Sequence, residues 1–157
     1  MKTYNEQSFE AYIEETMNSA LWDKVSNSSF DAEQALFPEQ VIDFIKSSQT
    51  TLWNELEKLN GALLPQQLLK ALVKERGNKG TLHILRHGFK FQGKTLRLAF
   101  FKPAHGMSQE SQALYAANRF QVCRQVFYHP DKNQSIDMVL AVNGVPVATL
   151  EIKNPGT

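Results

Sequence analysis

Ser135-Ile136-Asp137-Met138-Val139-Leu140-Ala141-Val142-Asn143-Gly144-Val145-Pro146-Val147-Ala148-Thr149-Leu150-Glu151-Ile152-Lys153 sets two apolar, β-branched runs on either side of Asn143-Gly144. That dipeptide between apolar runs is the strongest local signal for a β-hairpin. Asp137 opens the first run, and Glu151 and Lys153 close the second. Strand side chains alternate in face, so Glu151 and Lys153 share one side. Two carboxylates and an ammonium at the end of an apolar hairpin are costly to gather unless something uses them. A divalent cation would.

Register decides whether the three charges converge. A strict two-residue turn pairs Val142 with Val145 and, carried down the ladder, puts Glu151 and Lys153 on the face of Ile136, Met138 and Leu140. A three-residue loop, Val142-Asn143-Gly144 with Gly144 left-handed, shifts the pairing by one and sets Asp137 opposite Thr149. Asp137, Glu151 and Lys153 then share a face. The other face becomes uniformly apolar, with Ile136, Met138 and Leu140 against Ala148, Leu150 and Ile152. A one-residue slip flips every side chain, so the cleaner partition predicts the bulged loop.

The 157 residues suit one domain spanning 1–157, mainly helical over 1–78 and mainly strands over 80–157. A formal net charge of +1 leaves nucleic-acid binding to a local basic patch rather than to the overall field. The single cysteine, Cys123, rules out a disulfide within the chain and fits a reducing cytoplasm. No apolar run approaches 18 residues and the N-terminus lacks a signal-peptide pattern, so no membrane partner is expected. Asn154-Pro155-Gly156-Thr157 follows Lys153 so closely that the end reads as a cut rather than a natural terminus.

Upstream, Phe9, Tyr12, Ile13, Met17, Ala20 and Leu21 recur at helical spacing between Glu6 and Leu21. Pro38 suits the start of a second helix, with Val41, Ile42, Phe44 and Ile45 on its apolar face. Leu52, Trp53, Leu56 and Leu59 mark a third, stopped by Asn60-Gly61. Pro65 begins a fourth, with Gly77 expected just past its end. Beyond Gly80 the period changes. Thr81 to Arg86 and Thr95 to Phe101 read as strands, Gln109 to Ala117 as a short helix or irregular chain, and Phe120 to Tyr128 as a strand. Four helices followed by about five strands predict an α/β (α+β) fold, one mixed sheet covered by helices.

The chemistry suggested by Asp137, Glu151 and Lys153 is metal-assisted phosphodiester hydrolysis. Carboxylates are hard oxygen ligands suited to Mg²⁺, and an adjacent lysine can orient water or steady the charge of the transition state. Asp131, in the turn-forming run His129-Pro130-Asp131-Lys132-Asn133-Gln134, competes with Asp137 but fits a turn better. His83 and His87 fall on a predicted strand and turn, away from helical zinc spacing. Cys123 reads as a buried structural thiol. Arg86, Lys90, Lys94, Arg97, Lys102, Arg119 and Arg124 make the strand region basic against an acidic first helix, an asymmetry that would serve a DNA backbone or a solvated loop surface.

Asp137 at the strand start, Asn-Gly-x-Pro in the turn and Glu-x-Lys-Asn-Pro at its end resemble the N-terminal nuclease domain of type I restriction endonuclease motor (R) subunits. Phe9-Glu10, Phe44-Ile45, Gln49 before Trp53, Arg86-His87-Gly88, Asn118-Arg119 and Arg124-Gln125-Val126 extend the resemblance over most of the chain. It implies the PD-(D/E)xK nuclease fold, with Asp137 and Glu151 as Mg²⁺ ligands, the Ile152 carbonyl as a further ligand and Lys153 as the catalytic lysine. Glu10 is the first choice for an accessory helix carboxylate, with Glu6 and Glu14 in reserve. Ile136 stands where the motif's proline would be, a common departure. The resemblance further implies double-stranded DNA as substrate, specificity and methyltransferase subunits as partners, and ATP used only in motor domains absent from this sequence. A Gln-x-x-x-Tyr helix is expected after Glu-x-Lys and lies beyond Thr157, so little cleavage is expected from this stretch alone. The rival readings are a noncatalytic docking or DNA-binding module with the same fold, and a repair nuclease of that fold.

Overall fold

In a computed structural model the chain is described at residues 5–106, 108–129 and 131–153. The elements run in order: α1 (Glu6–Ser19), β1 (Asp23–Lys24), α2 (Pro38–Ser48), α3 (Thr50–Asn60), α4 (Leu64–Lys79), α5 (Thr81–His87), β2 (Phe89–Phe91), β3 (Lys94–Leu96), α6 (Gln109–Ala116), β4 (Phe120–Phe127), β5 (Ser135–Val142) and β6 (Val145–Leu150). Helices and a mixed sheet together make the expected α+β fold. The chain divides after Phe37 and after Asn118 into two compact units.

The first unit holds α1 and a four-stranded sheet ordered β1-β4-β5-β6. β1 runs parallel to β4, whereas β4–β5 and β5–β6 are antiparallel. Phe37, Cys123, Val126, Val139 and Ala141 form a buried cluster, with Val25, Phe30 and Ile136 packed against it. The Asn5 side chain starts α1 by accepting the Ser8 amide at 2.8 Å, which satisfies a donor the first turn would leave open.

α1 turns a different face inward from the one its apolar residues suggest. Phe9, Tyr12 and Leu21 are exposed, Ile13 and Met17 are half-buried, and the one fully buried residue of the helix is Glu10. The reason lies across the contact, where β4 presents Arg124 and Gln125 and β1 presents Lys24. Glu10 and Glu14 meet these groups, so charge pairing rather than apolar burial fixes the helix's rotation.

The second unit contains α2 to α6 and the β2–β3 hairpin. Val41, Phe44, Ile45, Trp53, Leu56, Leu64, Leu68 and Leu72 supply its helical core. α4 runs through Gly77 to Lys79, and Gly80 (φ 85°), not Gly77, caps it. Thr81 to Arg86 is helical rather than a strand. Gly80 and Gly88, both at positive φ, bracket a seven-residue helix with Ile84 and Leu85 buried. Gly88 is constrained twice, because a Cβ there would run into the Leu96 carbonyl as well as strain the backbone. Of the stretch Thr95 to Phe101, only the start lies in a strand, β3.

Candidate active site

The hairpin forms, and its turn is the two-residue one. Val142 pairs with Val145, with Asn143 at φ 50° and Gly144 at φ 83°, so the three-residue loop does not occur. Asn143 tolerates the left-handed region and is fully buried. Its side chain accepts the Arg119 amide at 2.6 Å and its own amide donates to the Arg119 carbonyl at 2.8 Å, anchoring the turn to the start of β4. The irregularity lies further down. Ala141 pairs with Pro146 but Leu140 with Ala148, leaving Val147 as an extra residue in β6.

That bulge moves the register in the opposite sense from the expected loop, yet by the same parity. Beyond it Met138 pairs with Leu150 and Val139 with Thr149. Asp137 lies one residue past the last pair of the ladder and does not sit opposite Thr149, which pairs with Val139. Within the ladder the faces divide as expected, Met138 and Leu140 pairing with Leu150 and Ala148, while Glu151, Ile152 and Lys153 lie past the end of β6.

Asp137 is half-buried, and its Oδ2 accepts the Ile152 amide at 2.7 Å. The bond pins the chain just past β6 against the carboxylate. Glu151 and Lys153 are exposed, and Ile152 is half-buried. The Glu151 pKa is raised above the usual carboxylate range, by desolvation first, then by the Asp137 charge and a hydrogen bond between the two carboxyl groups; Lys153 pulls it back. A raised acid contributes stability below its unfolded pKa and loses it as pH rises through the folded one. The negative charge that Asp137 presents to Glu151 is one that a cation would offset.

Glu10 lies behind a different set of partners. Its Oε2 accepts from Arg124 Nε at 3.3 Å and Nη2 at 3.2 Å, and Gln125 Nε2 donates to both oxygens at 3.0 and 3.1 Å. Adjacent strand residues normally point to opposite faces. Both reach Glu10 because Gln125 takes a left-handed conformation, φ 50°, inside β4. Gln125 sits across from Asp137 in the ladder, between the pairs Arg124–Met138 and Val126–Ile136. Its Oε1 accepts from Ser135 Oγ at 2.9 Å, and its carbonyl from Asn27 Nδ2 at 3.1 Å. Sequence reading gives Gln125 no role, since only the backbone angle marks it. Of the reserve acids, Glu14 bridges Lys24 at 3.2 Å and Arg124 at 3.8 Å, while Glu6 lies in the first turn of α1.

The other candidates take different places. Asp131 is exposed in the turn before β5, its amide donating to His129 Nδ1 at 3.1 Å. Cys123 is buried, and burial followed by the Glu14 charge pushes its thiol up to about 12, unlike a nucleophile. His83 and His87, expected on a strand and a turn, share α5 four residues apart with ring centroids 4.7 Å apart. Among the described residues no three His, Cys, Asp or Glu side chains gather into a metal cluster, and no helix is long and apolar enough to cross a membrane.

The family model described as type I restriction enzyme R protein N terminus matches residues 3–157, nearly the whole sequence. The chain belongs to that family. No curated protein and no solved structure matches it. Membership places this R-protein N terminus in a restriction system and implies an endonuclease. It also gives a context for the charged end of the hairpin, Asp137, Glu151 and Lys153, whose gathering no apolar core requires.

Proposed function

We propose that the β5–β6 hairpin is the catalytic site of a Mg²⁺-dependent DNA endonuclease, the cleaving part of a type I restriction enzyme R subunit. The observation that carries this reading is the closeness of Asp137 and Glu151, whose carboxyl groups share a hydrogen bond, with Asp137 also accepting the Ile152 amide. A carboxyl whose pKa is raised by a neighbouring carboxylate fits a hard dication, and Asp137 and Glu151 would hold it with the Ile152 carbonyl. When bound, Mg²⁺ would lower the pKa of a coordinated water and offset charge on the scissile phosphate. Lys153, whose charge acts on Glu151, would donate to a phosphate oxygen or to the attacking water and stabilise the negative charge that builds there. Glu10, held by Arg124 and Gln125, would act from behind by fixing β4 rather than as a ligand.

In the whole enzyme the hairpin would hydrolyse phosphodiesters of unmethylated foreign DNA after ATP-driven translocation by motor domains elsewhere in the R subunit. Specificity and methyltransferase subunits would choose the target, in the cytoplasm. The rivals are a docking module that keeps the fold without catalysis and a repair nuclease of the same fold. Asp137→Ala and Lys153→Ala in the complete enzyme separate the first from catalysis. Each is expected to lower DNA cleavage by at least a hundredfold while ATP turnover continues. Cleavage at the wild-type rate with either substitution would refute the assignment.

A further inference from the structure

Between Lys70 and Lys102 the sequence carries nine lysines and arginines against one acid, Glu75, a formal +8. The whole chain is only +1, so the remainder carries a formal −7. This concentration falls within the second unit, on α4, α5 and the β2–β3 hairpin with the chain that follows. Ion pairing sorts the basic residues. Arg119 and Arg124, in the first unit, are taken by Asp23 at 2.7 Å and by Glu10 at 3.2 Å. Lys79 is taken by Glu75 and Lys94 by Glu55. Lys70, Lys74, Arg86, Lys90 and Arg97 are exposed, and among the described residues none makes a salt bridge.

Packing makes neighbours of the elements that carry these charges. Lys70 and Lys74 stand one turn apart on α4, opposite the side that buries Leu68, Leu69 and Leu72. α4 packs against both α5 and β2. Glu75 feels Lys79 most strongly, then His83 and Lys90, which marks the end of α4, the start of α5 and β2 as neighbours. Arg97 Nη1 donates to the Arg86 carbonyl at 2.8 Å, so one guanidinium is braced against the main chain beside another. Like charges held together without counter-charges destabilise a fold unless a polyanion meets them.

We propose that the exposed basic side of α4, α5 and the β2–β3 hairpin, with Lys70, Lys74, Arg86, Lys90 and Arg97, is a DNA-gripping surface that contacts duplex phosphates without reading sequence. The choice of DNA as the polyanion rests on the endonuclease reading. The surface itself shares no residue with the hairpin site. Backbone contact alone gives affinity that falls steeply with salt and is indifferent to sequence.

The test is fluorescence anisotropy of the chain with a labelled 30-base-pair duplex in EDTA, across a salt series. Lys70→Glu/Lys74→Glu and Arg86→Ala/Lys90→Ala are compared with the wild type, and Arg119→Gln, whose guanidinium is already paired, serves as control. Circular dichroism melts confirm that each variant folds. Each double variant is expected to weaken binding at least tenfold at low salt. Each should also flatten the slope of log affinity against log salt by roughly 2, near 0.9 for each phosphate no longer neutralised. The control should bind as the wild type. Wild-type binding by either double variant overturns the proposal, as does a chain that binds anionic phosphatidylserine vesicles but not the duplex. Binding is read without a divalent cation, so its failure is separate from failure of the cleavage test on Asp137 and Lys153.

Discussion

Gln125 joins three things that the sequence keeps far apart: the buried Glu10 of α1, Ser135 at the start of β5 and the Asn27 side chain. It does so from a left-handed conformation that costs a non-glycine residue roughly 1–2 kcal/mol. Strain of that kind persists where the surroundings over-determine it. Removing the amide leaves a buried carboxylate with fewer donors, at a cost of about 1–3 kcal/mol. Gln125→Ala loses the amide and keeps the strain, whereas Gln125→Gly loses the amide and relieves the strain. Urea denaturation is expected to find Gln125→Gly about 1 kcal/mol more stable than Gln125→Ala, with both below the wild type. Equal stabilities would show that the backbone angle stores nothing. At this scale the sequence offered little. An acid on a helix reads as solvated, and Glu10 is buried only because Arg124 and Gln125 reach it from 114 and 115 residues away.

The hairpin shows what can and cannot be read at the scale of an element. Asn143-Gly144 and the flanking alternation were enough for β5, β6 and their faces, since parity alone decides which side a residue takes. The place of the bulge was not legible. Whether an extra residue sits in the turn or at Val147 depends on Arg119, which clasps Asn143 from β4 and holds the turn to two residues. Asn143→Ala removes that buried acceptor and puts a poorer residue at φ 50°, and should destabilise the chain by about 2–3 kcal/mol in urea denaturation. A loss under about 0.5 kcal/mol, the size of an ordinary surface substitution, would mean that the clasp does not set the turn. Elsewhere, α2, α3 and the start of α4 followed from proline, glycine and apolar spacing. α5 did not, because seven residues with Leu82, Ile84 and Leu85 fit either period, and the flanking Gly80 and Gly88 act through tertiary fit. β1 is two residues long and exists only by pairing with β4, so no local signal precedes it.

For the whole molecule, the fold class and the hairpin residues were legible in the sequence, while the two compact units and the sorting of basic residues were not. Arg119 and Arg124 belonged to the same basic stretch as Arg86 and Arg97 until ion pairs with Asp23 and Glu10 removed them. The hairpin acids lie in the first unit, whereas the exposed Lys70, Lys74, Arg86, Lys90 and Arg97 lie in the second. The central claim is that Asp137 and Glu151 form a single cation site. Calorimetric titration of Mn²⁺ into the chain tests it most directly, with Asp137→Asn as the comparison. One Mn²⁺ should bind the wild type, and Asp137→Asn should lose at least tenfold in affinity while keeping its circular dichroism spectrum. Equal Mn²⁺ affinity in the two proteins, or none in the wild type, would contradict the account.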